Sequence, residues 1–289
     1  MAVNVVRTNP KHFTRDQIPI LLVLVPVALL MGAPLVYIIA QAFKPLDELF
    51  IYPPTLLPGR PTLDNFYELM DATAASGIPM GRYIFNSLVT TVATVALSLL
   101  LTTMAAFILS KVPFRFKEPM MELNNAAMMF VAVAVQIPRY LIISGMGIMD
   151  TYLAHILPIV AMPVCLFLIK QFIDQLPDEL LDAVQIDGAG SFRMYYKIVL
   201  PLIRPAIATG TLLVFQAVWN NMETSSLFTS REGMRTLAFY LNTMSDTATV
   251  QGRGLAAAAS FILFIPNLLL FIVMQTNVMN TMAHSGLKG

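Results

Sequence analysis

Few side chains in this chain of 289 residues could perform covalent chemistry, and they are scattered along it. The histidines His12, His155 and His284 lie far apart, and no H-E-x-x-H zinc motif is present. The sequence also lacks the G-x-S-x-G turn of serine hydrolases and the G-x-x-x-x-G-K-[ST] loop that binds nucleotide phosphates. The single cysteine, Cys165, lies in an apolar run, which predicts a small buried side chain. We therefore expect no catalytic residue, no metal site and no cofactor in this chain.

Recognition of a polar solute is the other chemistry that the residues allow. Polar side chains inside a membrane are costly and tend to face a pathway or a neighbouring helix. For Asn86, Asn124 and His155 we expect hydrogen bonds between helices. Four other residues favour a pathway, because an aromatic ring stacks on the apolar face of a sugar while amides bind its hydroxyls. These residues are Gln136, Gln216, Trp219 and Asn220, although interhelical bonding, or an interfacial position for the indole, is the alternative.

The elements that must position these side chains are membrane helices. The chain is 57% hydrophobic and 12% charged, about half the charged fraction of a soluble domain. A spanning helix needs roughly 20 apolar residues. Six segments are long enough: 18–43, 84–110, 119–143, 151–173, 202–222 and 255–279. We predict an all-α polytopic membrane protein with a six-helix domain at 18–281, a segment 1–17 before it and a tail 282–289 after it.

The distribution of Lys and Arg predicts the orientation of these helices. With the N-terminus in the cytoplasm, the inner segments hold eleven Lys and Arg, whereas the longer outer loops hold seven. Both termini are therefore predicted to be cytoplasmic. The first apolar run is too long for the core of a signal peptide, so we expect it to be retained as a helix. The net charge of +1 and the lack of a long basic run argue against a nucleic-acid partner and leave membrane lipid as the expected surroundings.

A polar insert between two apolar segments, the cytoplasmic loop 174–201, requires a separate explanation. The sequence predicts a short helix after Pro177, a turn at Gly188 and a second short helix capped by Ser191. The second helix places four apolar side chains on one face at helical spacing, Phe192, Tyr195, Tyr196 and Val199. Such a ridge outside the bilayer suits either a hairpin lying on the membrane interface or a docking element for a cytosolic protein.

The motif spacing in this loop resembles the EAA loop of ABC importer permeases. The family pattern of Glu-Ala-Ala, Asp-Gly-Ala and Ile-x-Leu-Pro stands here as Asp182-Ala183-Val184, Asp187-Gly188-Ala189 and Ile198-Val199-Leu200-Pro201. Two departures, at Asp182 and Val184, keep the sign of charge and the apolarity. The resemblance implies that the loop docks in a groove of a cytosolic ATPase and that Leu200-Pro201 passes its motion to the fifth span. The implied coupling residues are Asp182, Ala183, Asp187, Gly188, Ala189, Phe192, Tyr195, Ile198, Leu200 and Pro201.

Further stretches are similar to the carbohydrate-uptake, maltose-type branch of that family. They are Thr-Leu-Asp-Asn-Phe at 62–66, Asn86-Ser87, and the segments 147–158, 218–221 and 285–289. The resemblance implies a permease subunit in a bacterial cell membrane, which is not itself an enzyme. Such a subunit is expected to import a carbohydrate, of the oligosaccharide class, by alternating access. The resemblance also implies a second homologous permease, two cytosolic ATPases that bind ATP and Mg, and an extracytoplasmic solute-binding protein near the 223–254 loop.

The alternative is a stand-alone secondary transporter or channel for a small polar solute. Such a protein is expected to carry charged residues in mid-span for ion coupling, together with an inverted repeat. Glu122 is the one acid clearly inside a predicted span, and it lies near the inner end. No repeat is evident in the sequence, so this alternative is the less favoured of the two.

Overall fold

The protein is helical throughout the residues that the structure describes. The computed structural model describes residues 17–75, 77–186, 188, 190–245 and 250–285. The chain forms two compact units, one from Met1–Leu69 with Ser245–Phe261 and the other from Met70–Met244 with Ile262–Gly289. The predicted all-α fold class is confirmed, with up to six candidate membrane spans in the described part of the chain.

The first unit is built from α1, parts of two further helices and the loop that follows α1. It contains α1 (Ile18–Ala42), the first turns of α2 (Asp64–Ala75) and the beginning of α14 (Val250–Ser285). Three rings, of Phe43, Phe66 and Phe261, pack with centroids 5.3 to 5.8 Å apart. Beyond the end of α1, the Asn65 amide donates to the carbonyl oxygens of Ala42 (3.0 Å) and Lys44 (2.8 Å), so the loop after α1 is tied to the start of α2.

Along most of its length α1 is apolar and exposed on every side. Its buried residues are Ala40 and Ala42, both in the last turn. A helix that is hydrophobic all round is stable where its surroundings are apolar, as in a membrane. This exposure agrees with the prediction that the first apolar run is a membrane span.

The second unit carries the remaining helices. They are α3 (Met80–Lys111), α4 (Lys117–Met129), α5 (Gln136–Gly145), α6 (Tyr152–Val160), α7 (Pro163–Asp174), α8 (Asp178–Ile186), α9 (Ser191–Met194), α10 (Leu200–Leu202), α11 (Arg204–Trp219), α12 (Glu223–Phe228) and α13 (Leu237–Ser245), followed by the rest of α14. A π-helical turn, Tyr195–Val199, joins α9 to α10. Short 3₁₀ turns lie at Ala132–Val135 and Glu232–Met234.

Three of the six candidate spans are bent pairs of helices. The axes turn by 111° between α4 and Ala132–Gly145, by 46° between α6 and α7, and by 79° between Ser191–Leu202 and α11. Pro163 explains the second bend, because a residue before proline avoids helical angles, and Met162 is extended (φ −107°, ψ 100°). At the third bend, the ring of Pro205 would clash with the carbonyl four residues earlier in a continuous helix. The predicted spans 119–143 and 151–173 are therefore each made of two helices at an angle, and the predicted span 202–222 begins at the third bend.

The core of the second unit includes the cytoplasmic loop. Leu181, Tyr195 and Val199 of that loop belong to the same buried cluster as Phe107 of α3 and Cys165 of α7. The predicted burial of the cysteine is confirmed. Because Gly210 has no side chain, α11 can approach Cys165 of α7 closely. A Cβ at position 210 would lie 2.9 Å from the cysteine sulfur.

Candidate functional site

The loop 174–201, which the charge distribution predicts to be cytoplasmic, forms a helical hairpin in its described residues, as the sequence predicts. Its first arm is α8, its second arm runs from α9 through the π-helical turn into α10, and Gly188 between them has φ +77°. A positive φ is the conformation that glycine adopts at low cost. Asp187, Ala189 and the side chain of Ala183 lie outside the described residues. Ser191 does not cap the second arm: Gly190 occupies the N-cap, and Ser191 is the first helical residue without a capping bond from its side chain.

One side of the hairpin is fixed in the protein core. Tyr195 is only 5% exposed and Val199 is fully buried. The Tyr195 hydroxyl lies 2.8 Å from Thr103 Oγ1 on α3, and its ring packs against Phe107 at 5.6 Å between centroids. The predicted four-residue ridge is therefore divided, because Tyr195 and Val199 face inward. Ile198 and Leu200 are half-buried against the same core.

The other side of the hairpin is exposed and mixes apolar with charged groups. Phe192 is 74% exposed, Tyr196 is 63% exposed, and Leu180 and Asp182 are exposed on the first arm. We call these four residues the docking face. Gly188 and Pro201 are also exposed, and so are acidic residues on α8 and basic residues on the second arm: Asp178, Glu179, Arg193 and Lys197. An apolar face with a charged border is suited to a complementary groove on another protein.

An ionic anchor joins the beginning of the hairpin to the end of α3. Lys111 Nζ donates to the Leu176 carbonyl oxygen (2.7 Å) and to Asp178 Oδ1 (2.6 Å), and only 9% of the lysine side chain is exposed. The hydrogen bond and charge of the lysine hold the pKa of the Asp178 carboxyl below its ordinary value. A cleft of about 440 Å³ lies beside this anchor, with Phe107, Asp182 and Met194 in its lining. Sequence reasoning missed the anchor, since nothing in the sequence pairs positions 111 and 178.

Three of the four predicted pathway residues meet at the end of α11. Gln216 and Asn220 are exposed, and the Asn220 side-chain amide donates to the Gln216 carbonyl oxygen at 3.3 Å. Trp219 is buried, its indole N–H donates to the Leu263 carbonyl oxygen (3.1 Å), and its ring stacks on Phe215 at 5.6 Å. In this conformation the indole thus supports the packing of α11 against α14. A further amide at this place, on Asn267 of α14, was missed by sequence reasoning: it donates to Asn220 Oδ1 at 3.4 Å.

The fourth predicted residue, Gln136, begins α5 beside an ion pair. One turn further along, Arg139 Nη1 lies 2.8 Å from Glu223 Oε1, which links α5 to α12. Both side chains are less than one-third exposed, so their opposite charges balance each other away from bulk water. No local pattern in the sequence pairs Arg139 with a partner 84 positions away.

At the outer end of α3, side chains hold the segment 233–237. Asn86 Nδ2 donates to the carbonyl oxygens of Gly233 and Arg235, each at 2.9 Å, while its Oδ1 accepts from the Tyr152 hydroxyl at 2.9 Å. Ser87 Oγ accepts from the Leu237 backbone N–H at 2.8 Å. We call the pair Asn86 and Ser87 the outer clamp. It assigns a structural task to the Asn-Ser motif that the sequence resemblance marked.

Other polar groups in the spans are also hydrogen-bonded. His155 Nδ1 lies 2.9 Å from Thr224 Oγ1, and its Nε2 lies 3.1 Å from the Met234 carbonyl oxygen. The Asn124 amide donates to the Pro163 carbonyl oxygen at 3.3 Å. Asp150, at φ +58°, accepts from the backbone N–H groups of Ser230 (2.7 Å) and Arg231 (2.8 Å). The expectation that the histidine and Asn124 bond between elements is confirmed.

Fold and site together define a class of protein. A helical membrane domain carries a hairpin with one side in its core and an exposed docking face on the other. Its polar groups form bonds between elements, and no cluster of His, Cys, Asp and Glu that could hold a metal occurs within the described ranges. A hairpin that is fixed on one side and exposed on the other offers an attachment surface for another protein.

Comparison with known proteins identifies the family. Residues 77–278 match the family described as binding-protein-dependent transport system inner membrane component, and the chain belongs to it. It is 26% identical over 258 residues to the sulfoquinovosyl glycerol transport system permease protein of Agrobacterium fabrum, covering 89% of this chain and 88% of that protein. It is 28% identical over 265 residues to the arabinooligosaccharides transport system permease protein of Halalkalibacterium halodurans, covering 91% and 93%.

A solved structure shares the fold. It is the crystal structure of a bacterial ABC transporter involved in the import of the acidic polysaccharide alginate, and its matching chain superposes with a TM-score of 0.77 at 20% identity. The match covers 92% of this chain and 98% of that one. The chain is therefore a multi-pass inner-membrane permease subunit of a binding-protein-dependent ABC importer. It is not itself an enzyme, and ATP binds to its partner ATPase. The resemblance to carbohydrate-uptake permeases is confirmed, and the stand-alone transporter is disfavoured.

Proposed function

We propose that this chain is one of two homologous permease subunits that import a carbohydrate of oligosaccharide size by alternating access. Two cytosolic ATPases drive the cycle, and an extracytoplasmic binding protein delivers the sugar. In this proposal, residues 18–281 form the membrane domain, 174–201 the coupling loop, and the segments 1–17 and 282–289 lie in the cytoplasm. The observation that carries the proposal is the two-sided hairpin, which is anchored in the core by Tyr195 and exposed at Phe192.

The two sides of the hairpin divide the predicted coupling residues by task. We assign the ATPase contact to the exposed positions Asp182, Gly188, Phe192 and Pro201. To these we add the half-buried Leu200 and the positions that the resemblance marks, Ala183, Asp187 and Ala189. Tyr195 and Ile198 stand behind them and join the contact surface to the core. Protein interfaces commonly centre on aromatic side chains and place polar and charged residues at the rim.

The cycle follows from differential affinity for two conformations. ATP binding closes the ATPase pair, draws the two coupling loops together and favours the outward-facing state, in which the binding protein releases its sugar. ATP hydrolysis then restores the inward-facing state. Because a ligand shifts an equilibrium only through its preference for one state, ATP and the binding protein must both favour the outward-facing conformation.

The solute pathway in this proposal passes the end of α11. Gln216 and Asn220 are exposed amides that can bind sugar hydroxyls, Gln136 is assigned to the same route from α5, and Trp219 holds the amides in place from behind. The carbohydrate class is supported by the two relatives, whose names specify a sulfonated glycoside and an arabinose oligosaccharide. Those solutes differ in charge, so the proposal extends to the sugar class and not to one sugar.

A matched pair of substitutions tests the proposal. Phe192→Ala removes the exposed aromatic side chain of the docking face, while Phe116→Ala removes one that is 63% exposed at the start of α4. In the complex purified with its partners and placed in liposomes, Phe192→Ala should weaken ATPase retention and ATP-driven sugar uptake by at least tenfold, the usual effect of losing a central interface residue. Phe116→Ala should leave both near wild-type values. Equal effects of the two substitutions, or sugar uptake by the chain alone, would contradict the proposal.

A further inference from the structure

The helix α3 is an unbroken span that lies wholly within the second unit. It runs for 32 residues, Met80–Lys111, whereas the spans formed by α4 with α5, α6 with α7, and α9 to α11 are each bent. It contains no proline, and its sole glycine, Gly81, lies in the first turn. At 1.5 Å per residue α3 is about 48 Å long, which exceeds the hydrocarbon core of roughly 30 Å. Both of its ends therefore reach the membrane surfaces.

At its inner end, α3 holds the hairpin at two places. Lys111 binds the first arm through Asp178 and the Leu176 carbonyl oxygen, at 2.6 and 2.7 Å. Two turns earlier, Thr103 binds the second arm through the Tyr195 hydroxyl at 2.8 Å. Two attachments about 12 Å apart along the helix axis, from the helical rise, restrain the hairpin against rotation as well as translation.

At its outer end, α3 holds the segment 233–237 through the outer clamp. Asn86 donates to two backbone carbonyl oxygens of that segment, and Ser87 accepts from its Leu237 N–H. Both clamp side chains are buried, so water competes little for these bonds. One continuous helix thus carries the cytoplasmic hairpin at one end and an outer segment at the other.

We propose that α3 is the rigid link between the ATPase side and the outer side of this permease, with Lys111 and Asn86 as positioning residues at its ends. The two residues are about 37 Å apart by helical rise, and the helix between them is continuous, with neither proline nor glycine. A displacement of the docking face then moves the 233–237 segment in concert. The proposal rests on the proposed function, because it requires an ATPase to act on the hairpin.

A distance measurement tests the rigidity directly. Cys165, the only cysteine of the chain, is first changed to alanine. In the intact complex, spin labels are then attached at Lys197→Cys on the hairpin and at Ser230→Cys near the segment 233–237; both positions are exposed in the wild type. The distance is measured without nucleotide and in the vanadate-trapped state, with trapping verified by the nucleotide that the complex retains. We expect the label-to-label distances in the two states to agree within about 2 Å. In Asn86→Ala we expect a broader distribution of that distance. A shift of about 5 Å or more, the size of a one-turn slip between elements, would overturn the proposal.

A functional measurement tests the positioning role of Lys111. Lys111→Met keeps the aliphatic stem and removes the ammonium, whereas Lys111→Arg keeps the charge. The readout is the ratio of ATPase activity with and without the binding protein, because a loss of folded complex lowers both activities by one factor. We expect Lys111→Met and Asn86→Ala to lower this ratio roughly threefold or more, within the range for mutations in a coupled network, and Lys111→Arg to restore it.

The outcomes separate the two proposals. If wild-type complex shows no binding-protein-stimulated ATPase and no uptake, the proposed function is wrong. If the wild type is active but the methionine and alanine variants keep its ratio, the link through α3 is wrong while the proposed function stands.

Discussion

Replacement of Gly188 separates backbone conformation from side-chain bulk in the hairpin turn. This residue has φ +77°, and a Cβ built on it would meet no described atom within 4 Å. A substitution therefore costs energy through the backbone angle and not through a clash inside the chain. Asparagine and leucine have side chains with the same number and branching of heavy atoms, but asparagine tolerates positive φ far better than leucine does. Gly188→Asn and Gly188→Leu are thus a matched pair.

The magnitude follows from the cost of left-handed backbone. For an ordinary L-residue this cost is about 1–2 kcal/mol, which changes a population by roughly 5- to 30-fold. Burial of Leu181, Met194 and Tyr195 keeps both arms in the core, so the penalty falls on the turn and not on the fold. We expect Gly188→Leu to lower ATP-driven uptake by roughly 5- to 30-fold and Gly188→Asn to lower it by less than about threefold.

The assay is sugar uptake into liposomes by the reconstituted complex, with the melting temperature of each purified complex as the control for folding. Both variants should melt within a few degrees of the wild type, since a local cost near 1 kcal/mol shifts Tm by only about 2–4 °C in proteins of this size. If asparagine and leucine reduce uptake equally, bulk at the partner surface governs the effect. The argument from φ would then be refuted.

Three other substitutions have expected outcomes of defined size. Tyr195→Phe removes the hydrogen bond to Thr103 but keeps the ring, so it should lower the free energy of unfolding by about 1 kcal/mol. Tyr195→Ala should lower it by about 3–5 kcal/mol. Gly210→Ala should cost about 1–3 kcal/mol by overpacking, and Cys165→Ala in the same chain should recover most of it; both are measured by thermal unfolding. The pKa of Asp178 is lowered from its ordinary value of 3.8 by its lysine partner. Stabilisation by this pair is therefore complete above that value and lost as the pH falls below it. The protection factors of the α8 amides, which correct for the intrinsic pH dependence of exchange, should therefore fall at acidic pH in the wild type and change little over that range in Asp178→Asn.

The hairpin shows how far local sequence determines structure. Pro177 and Gly188 lie at the helix start and at the turn, where backbone preference places them, whereas the N-cap that the sequence placed at Ser191 is Gly190. Helical spacing also marked the apolar side chains correctly. Helical spacing could not tell which of them face inward and which face outward. Phe192 and Tyr195 are both large aromatic residues, and their opposite exposures depend on where α3 lies.

Contacts between distant positions account for what the sequence did not reveal. The Arg139–Glu223 and Lys111–Asp178 pairs join residues 84 and 67 positions apart, and no local pattern encodes such a partner. The bends, by contrast, had a local signal. Pro163 and Pro205 stand at two of the breaks, and the rule that proline ends a helix predicts an interruption at each.

The bend before α11 decides which helix receives motion from the hairpin. The sequence suggested that Leu200-Pro201 passes this motion to the fifth span, which requires the two helices to share an axis. The axes differ by 79°, so a displacement along Ser191–Leu202 has a component along α11 of only the cosine of that angle, about 0.2. The bonds from Lys111 and Thr103 do not depend on that alignment, because they fix both arms of the hairpin directly to α3. In the coupling proposed above, a push on the docking face is therefore transmitted mainly through α3, and α11 is displaced sideways, which is the direction that would move Gln216 and Asn220 relative to the proposed solute pathway.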